Sequence, residues 1–278
     1  MKRRSIGHTN VPLRKLIPNM ITTAALCSGV AALHFASRPD PDFARAVGAV
    51  GMAALLDALD GRAARLLKAT SRFGETFDSL SDFVCFGVAP AFLIYRFCQR
   101  DQSLLGFNLE GLVFLAVVLF ALCSAVRLAR FTATQRKKKP GAKPSRFFTG
   151  MPTPAAAGAA LIPPMLLLSD IAVRLPTVMV IGHTLLIAAL MVSRMPMYSF
   201  KRLRIARVWV MPMMLAIGAV VVAATRDAWL TAACICAAYL LSLPFSLRGY
   251  QRDAAKEASE ALLVAPAAGE AAPGSPAR

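Results

Sequence analysis

The residues best suited to chemistry fall in one stretch, 57–82, which reads DALDGRAARLLKATSRFGETFDSLSD. It carries four aspartates, Asp57, Asp60, Asp78 and Asp82, at the junctions of apolar segments. Asp57 and Asp60 are three residues apart, and Asp78 and Asp82 are four apart, so on helices each pair shares a face. The connection between the pairs, about 61–77, is short, so two consecutive antiparallel helices can bring all four carboxylates to one point. A charge at the end of an apolar helix is costly unless it is paired or bound to metal. Four carboxylates left alone repel one another, and hard divalent cations with oxygen ligands, Mg²⁺, Mn²⁺ or Ca²⁺, resolve that repulsion. No His lies in the stretch and the nearest Cys is Cys85, which disfavours zinc. Two carboxylate-held cations suit phosphoryl transfer, because they clamp a diphosphate and neutralise the charge that develops on it. Gly61, Ala64 and Gly74 keep the helix faces beside the acids bare, leaving room for a flat group. Two other readings compete: a solvated charged face, which the apolar flanks and double periodicity oppose, and a cation-transport site. A transporter predicts discontinuous helices in repeated halves, and the sequence shows no inverted repeat.

The elements that must position these acids are apolar and long. Of 278 residues, 56% are hydrophobic and 17% charged, with a mean hydropathy of +0.55. A soluble domain is less apolar and more charged, and a disordered chain is far less apolar. A bilayer span needs about 20 mostly apolar residues. Eight candidate spans follow: 17–37, 43–60, 78–98, 108–128, 150–169, 176–193, 207–224 and 228–247. The expected architecture is an all-α polytopic membrane bundle of about eight transmembrane helices. A basic arm, 1–16, precedes the membrane domain, 17–250. A tail, 251–278, rich in Ala, Glu, Pro and Gly, is expected to be disordered. The first apolar block is too long for a cleaved leader and reads as a retained helix.

The net charge of +17 does not indicate nucleic acid. A nucleic-acid domain presents a basic face with stacking aromatics, whereas here the basic residues lie between apolar blocks. With eight crossings and the N-terminus inside, 26 of the 32 Lys and Arg fall in segments 1–16, 61–77, 127–149, 194–207 and the tail. Only Arg38, Arg45, Arg96, Arg100, Arg174 and Arg226 fall on the other side. That bias places both termini, and the acids, on the cytoplasmic side. The basic loop 135–146 is a topology determinant or a contact for anionic headgroups. The six cysteines form no C-x-x-C pair and read as small buried side chains. His8, His34 and His183 are isolated and read as structural.

The pattern D-x2-D-G-x2-A-R-x8-G-x3-D-x3-D resembles the signature of the CDP-alcohol phosphatidyltransferases. The chain supplies every fixed position: Asp57, Asp60, Gly61, Ala64, Arg65, Gly74, Asp78 and Asp82. FDSLSDFVCFGVAPAFLIY (77–95), RLARF (127–131), FFTGMPTPAAAG (147–158) and LMVSRMPMYSFK (190–201) are similar to the membrane-embedded phosphatidylserine synthase branch of that family. The resemblance covers roughly residues 14–250.

The resemblance implies the CDP-alcohol phosphatidyltransferase fold. It also implies transfer of a phosphatidyl group from CDP-diacylglycerol to the hydroxyl of L-serine, with release of CMP. The alternatives within the same chemistry are glycerol 3-phosphate, an inositol phosphate or choline as acceptor. Asp57, Asp60 and Asp78 would ligate metal, two ions in all, with Asp82 as general base while also touching the second ion. Gly61, Ala64 and Gly74 would line the cytidine pocket, with Asn19 and Thr22 of the first helix beside the CDP moiety. Arg65 would bind phosphate or hold an aspartate. Arg127, Arg130, Arg146 and Lys201 are candidates for phosphate or the serine carboxylate. Pro152 and Pro154 would shape a helix entrance at the rim. A homodimer in the cytoplasmic membrane, among membrane lipids, is the expected setting.

Overall fold

The computed structural model describes residues 13–69, 71–100, 109–137, 147–193, 196–198 and 210–243. The arm, the tail, most of the basic loop and Lys201 lie outside the described residues. The order of elements is α1 (Leu13–Ser37), α2 (Phe43–Leu66), α3 (Arg72–Asp82), a π-helical turn (Phe83–Val88) and α4 (Ala89–Gln99). Then come α5 (Glu110–Lys137), β1 (Phe147–Thr149), α6 (Thr153–Ala160), α7 (Ile162–Leu168), α8 (Thr177–Val192), β2 (Pro196–Tyr198) and α9 (Val210–Arg226). A last helix, α10, spans Ala228–Leu243. Apart from the two three-residue strands, paired antiparallel with Phe148 opposite Met197, the described elements are helical.

The chain is an integral membrane protein. Among the described residues, three helical stretches are long and apolar enough to cross a bilayer: Leu16–Ser37, Arg72–Gln99 and Glu110–Ala133. The apolar helices α8, α9 and α10 are shorter. Large apolar side chains also face outward: Leu112, Phe114 and Leu122 of α5 and Met211, Met214 and Leu215 of α9 are all exposed. Water would penalise such a surface, whereas lipid tails do not.

Inside, small residues let the helices approach closely. Ala32 and Ala36 of α1 and Ala46 and Ala53 of α2 are buried in the core. The Ser28 hydroxyl of α1 crosses to donate to the Ala49 carbonyl at 2.9 Å. A methyl group at Gly29 would lie 2.5 Å from Cys85 Sγ, so α1 meets the π-helical turn where neither side has room for more. The loop between α1 and α2 is five residues, and Asp42 caps α2 by accepting from the Arg45 amide at 2.9 Å.

Two structural features depart from a simple span list. The fifth span, expected as one helix over 150–169, is split at Leu161 into α6 and α7, because Pro163 and Pro164 lack the N–H groups a continuous helix needs. The second helix does not stop at residue 60 but runs on to Leu66, since Ala63, Ala64 and Arg65 are strong helix formers. It ends with Lys68 in the left-handed region (φ 49°). There the Ala69 amide donates to the Ala64 carbonyl and the Lys68 amide to the Arg65 carbonyl. This is a Schellman closure, and it turns the chain sharply back into α3. At Gly150 (φ 81°) a side chain would sit 2.8 Å from the Met191 carbonyl oxygen, so only glycine lets β1 pass the end of α8 into α6.

Candidate active site

The sharp turn after α2 sets the site. The Ser71 hydroxyl caps α3, accepting from the Gly74 amide at 3.0 Å. Asp78 and Asp82 on α3 then face Asp57 and Asp60 near the end of α2. One ligand oxygen each from Asp57, Asp60 and Asp78 lies within 4.8 Å of the others. Asp82 stands outside that trio and faces Asp57 within hydrogen-bond reach. The four carboxylates repel across this gap: Asp57 acts on Asp60 and Asp82, and Asp78 feels both Asp57 and Asp60. Among the described residues, the Arg127 guanidinium acts on Asp82 as an opposing charge. Three converging all-oxygen donors with unrelieved repulsion fit a hard divalent cation. The trio contains no sulfur or imidazole, as the sequence indicated.

Asp60 is 6% exposed, yet its carboxylate has a dedicated partner in α1. Thr22 Oγ1 donates to Asp60 Oδ2 at 2.6 Å. Thr22 therefore holds an acid in position, a more specific contact than the proximity to the CDP moiety expected for it. A hydroxyl fixing a carboxylate in this way orients it as a ligand. Asn19, one turn earlier on α1, lies beside Gly74: a methyl group there would be 3.0 Å from Asn19 Oδ1. A methyl group at Gly61 would meet only Arg65 Nη2, at 4.0 Å. Gly61 thus leaves open space beside the acids, whereas Gly74 fits closely against Asn19 and the Ser71 hydroxyl. Arg65 folds along its own helix, its Nε donating to the Gly61 carbonyl at 2.8 Å.

The basic candidates divide. Arg127 Nη1 donates to Thr153 Oγ1 at 2.8 Å, and its guanidinium lies 5.8 Å from the centre of the Phe131 ring. Its Nε is buried without a hydrogen-bond partner. Arg127 is within electrostatic reach of both Asp82 and the Tyr239 hydroxyl of α10. Arg130, on the same face of α5, reaches elsewhere: its Nη1 donates to the Val192 carbonyl at the end of α8, 3.1 Å away. Arg146 and Lys201 lie outside the described residues. Thr153, fully buried between Pro152 and Pro154, and Tyr239 were not singled out in the sequence. Thr153 had a visible signal, a lone hydroxyl in the PTP step, whereas Tyr239 had none. His34 meets the Phe35 ring edge-on, and His183 Nε2 lies 2.7 Å from the Ala159 carbonyl, both structural contacts.

The helical membrane fold and the aspartate trio, set on the D-x2-D…D-x3-D spacing, define a class, and the family comparison agrees. Residues 15–250 match the family model for CDP-alcohol phosphatidyltransferase, and the chain belongs to that family. The family is metal-dependent, in keeping with the trio. Among its relatives, a protein of Mycobacterium leprae (strain TN) is 41% identical over 143 residues, 51% of this chain and 44% of the relative. One of Helicobacter pylori (strain J99) is 37% identical over 142 residues, 51% of this chain and 54% of the relative. One of Saccharomyces cerevisiae is 38% identical over 107 residues, 38% of this chain and 36% of the relative. All three carry the name CDP-diacylglycerol–serine O-phosphatidyltransferase. The chain spans about half the length of the first two relatives.

Proposed function

We propose that this protein transfers the phosphatidyl group of CDP-diacylglycerol to the hydroxyl of L-serine, giving phosphatidylserine and CMP. The observation that carries the reading is the convergence of Asp57, Asp60 and Asp78 within 4.8 Å, with Asp82 alongside. The names of the relatives point to serine as the acceptor.

Asp57, Asp60 and Asp78 would hold a divalent cation, Mg²⁺ or Mn²⁺, with Asp82 on a second. Bound there, such ions supply charge neutralisation for a diphosphate and for CMP as it leaves. Thr22 keeps Asp60 aimed at the site. Gly61 and Ala64 leave the space a cytidine ring needs, and Gly74 lets α3 pass close to Asn19 at its edge. Asp82 accepts the proton of the serine hydroxyl as its oxygen attacks the phosphorus that carries the diacylglycerol. One O–P bond forms, the bond to the CMP oxygen breaks, and no covalent enzyme intermediate is required. Arg127, held by Thr153, keeps its Nε for an anion next to Asp82, and the serine carboxylate is the anion available there. Arg65 is placed to swing from its own helix towards a phosphate. About eight spans cross the membrane in this reading, the 26-to-6 basic bias supports a cytoplasmic position for the acids and both termini at the inner membrane, and the protein works as a homodimer.

An Arg127→Gln variant tests the acceptor side of this reading. Its KM for serine should rise about tenfold or more while its KM for CDP-diacylglycerol holds. A parallel rise in both constants would make Arg127 a structural residue. Glycerol 3-phosphate serving in place of serine, in the unmodified protein, would keep the chemistry and change the acceptor.

A further inference from the structure

We propose that a cleft at the other end of the bundle, far from the aspartates, binds the headgroup of an anionic phospholipid. The cleft has a volume of about 640 Å³ and lies where four helices end or begin: α1 at Ser37, α2 at Phe43, α4 at Gln99 and α7 at Leu168. From Asp57 back to Phe43 along α2 is about 21 Å at the helical rise of about 1.5 Å per residue. The cleft is therefore not an extension of the acid site.

Its rim is basic. Arg38, Arg100 and Arg174 line it, from three separate segments of the chain. Two acids share the rim, Asp40 and Asp42. Asp42 is already committed, capping α2 and pairing with Arg45 at 3.4 Å. Among the described residues no carboxylate pairs with any of the three rim arginines, and Arg38 only leans over the Phe35 ring at 5.5 Å. Among the described residues the rim thus holds three arginines against two aspartates, with none of the three in an ion pair. It is also held rigidly: Arg96 donates to the carbonyls of Ala36 and Arg38, fixing the backbone on which Arg38 sits.

The floor is apolar. Phe43 and Phe97 are buried and meet edge-to-face at 5.8 Å, with Leu167 beside them. Guanidinium forks match phosphate oxygens in geometry as well as charge. Arginines at the ends of transmembrane helices lie at the membrane interface, the depth of lipid phosphates. A free inorganic anion would use the rim and gain nothing from the floor. A phospholipid uses both, setting its phosphate among the arginines and its glycerol and first acyl carbons against Phe97 and Leu167. Bound there, it would tie four helix ends together.

The test uses the full chain purified in detergent and offered equal amounts of phosphatidylglycerol and phosphatidylcholine, with retained lipid read by native mass spectrometry. The protein should keep phosphatidylglycerol preferentially, and the variant Arg38→Gln/Arg100→Gln/Arg174→Gln should lose that preference by about tenfold or more. A Lys138→Gln/Lys139→Gln variant, altered in the basic sequence 135–146, should keep it. In nanodiscs, phosphatidylglycerol should raise the unfolding temperature relative to phosphatidylcholine, and inorganic phosphate added in detergent should not. Equal retention of both lipids by the unmodified protein would overturn the proposal. So would a preference that survives the triple variant, or one lost in the loop variant instead. An equal shift with inorganic phosphate would make the cleft a simple anion site and overturn it too. If the triple variant fails to fold, Arg174→Gln alone, with the lipid comparison on the unmodified protein, decides the matter.

Discussion

Follow α2 from end to end and its polar surroundings invert. At its start, Asp42 caps the helix and pairs with Arg45, while Arg96 of α4 donates to Ala36, Arg38 and Gln99 together. Near its finish, Asp57 and Asp60 face Asp78 and Asp82, and a guanidinium near Asp82, that of Arg127, keeps a buried Nε unpartnered. At the first end Asp42, Arg45 and Arg96 close the fold. The second leaves like charges facing one another, which costs stability and is tolerated where a ligand resolves it. The difference teaches which residues to expect to govern stability and which to govern turnover, although both sets sit on the same helices.

The largest effect should come from the acid end. Asp78→Asn removes one of three converging oxygens and should lower metal-dependent transfer by about 10³-fold, the equivalent of about 4 kcal/mol. Its unfolding temperature without metal should hold or rise, because one repelling charge is gone. A variant that unfolds earlier and keeps its turnover would erase the contrast between the ends. Next is Thr22→Val, which keeps the shape and removes the 2.6 Å bond to Asp60. Titrating the divalent ion should show about a tenfold higher concentration at half-maximal activity, with little change in fold. An unchanged metal titration would mean that Thr22 only packs.

The opposite end should answer in stability. Arg96→Ala abandons two backbone carbonyls at the end of α1 and should cost about 2 kcal/mol, seen as a lower unfolding temperature, with turnover per folded molecule unaltered. The smallest effect sharpens the contrast by pH. Asp227 opens α10, accepting from the Leu230 amide at 2.9 Å, and also from the Asp170 amide in the turn after α7. These amides hold its carboxyl below its ordinary value of 3.8. A lowered carboxyl contributes stability above its ordinary range and loses it as pH falls through the folded value. Asp227→Ala should therefore unfold earlier than the parent at pH 7, and the gap should close below about pH 4. A gap that persists in acid would assign the effect to packing.

Much of the acid end is legible in the sequence because it is local. Two pairs of aspartates at helical spacing, joined by a short turn, leave few other arrangements, whereas the bond from Thr22 to Asp60 crosses 38 residues of sequence. The turn itself was less legible, since it closes on Lys68 where glycine is usual. Thr153 and Tyr239 lie near Arg127 from helices far apart in sequence, a relation no spacing records. The fate of Arg130 was hidden for the same reason: its partner, the Val192 carbonyl, is 62 residues away. The arginine cleft was least legible. Its three guanidiniums come from loops far apart in sequence, and read singly each is an ordinary charge at a helix end.

The most direct test of the central claim is CMP release from CDP-diacylglycerol by the purified full chain. It would be measured with Mg²⁺ or Mn²⁺, with and without L-serine, and again with chelator. The account predicts CMP and phosphatidylserine in equal amounts only when both metal and serine are present, and neither from Asp78→Asn. Serine-dependent CMP release that persists in chelator, or is normal in Asp78→Asn, would contradict it.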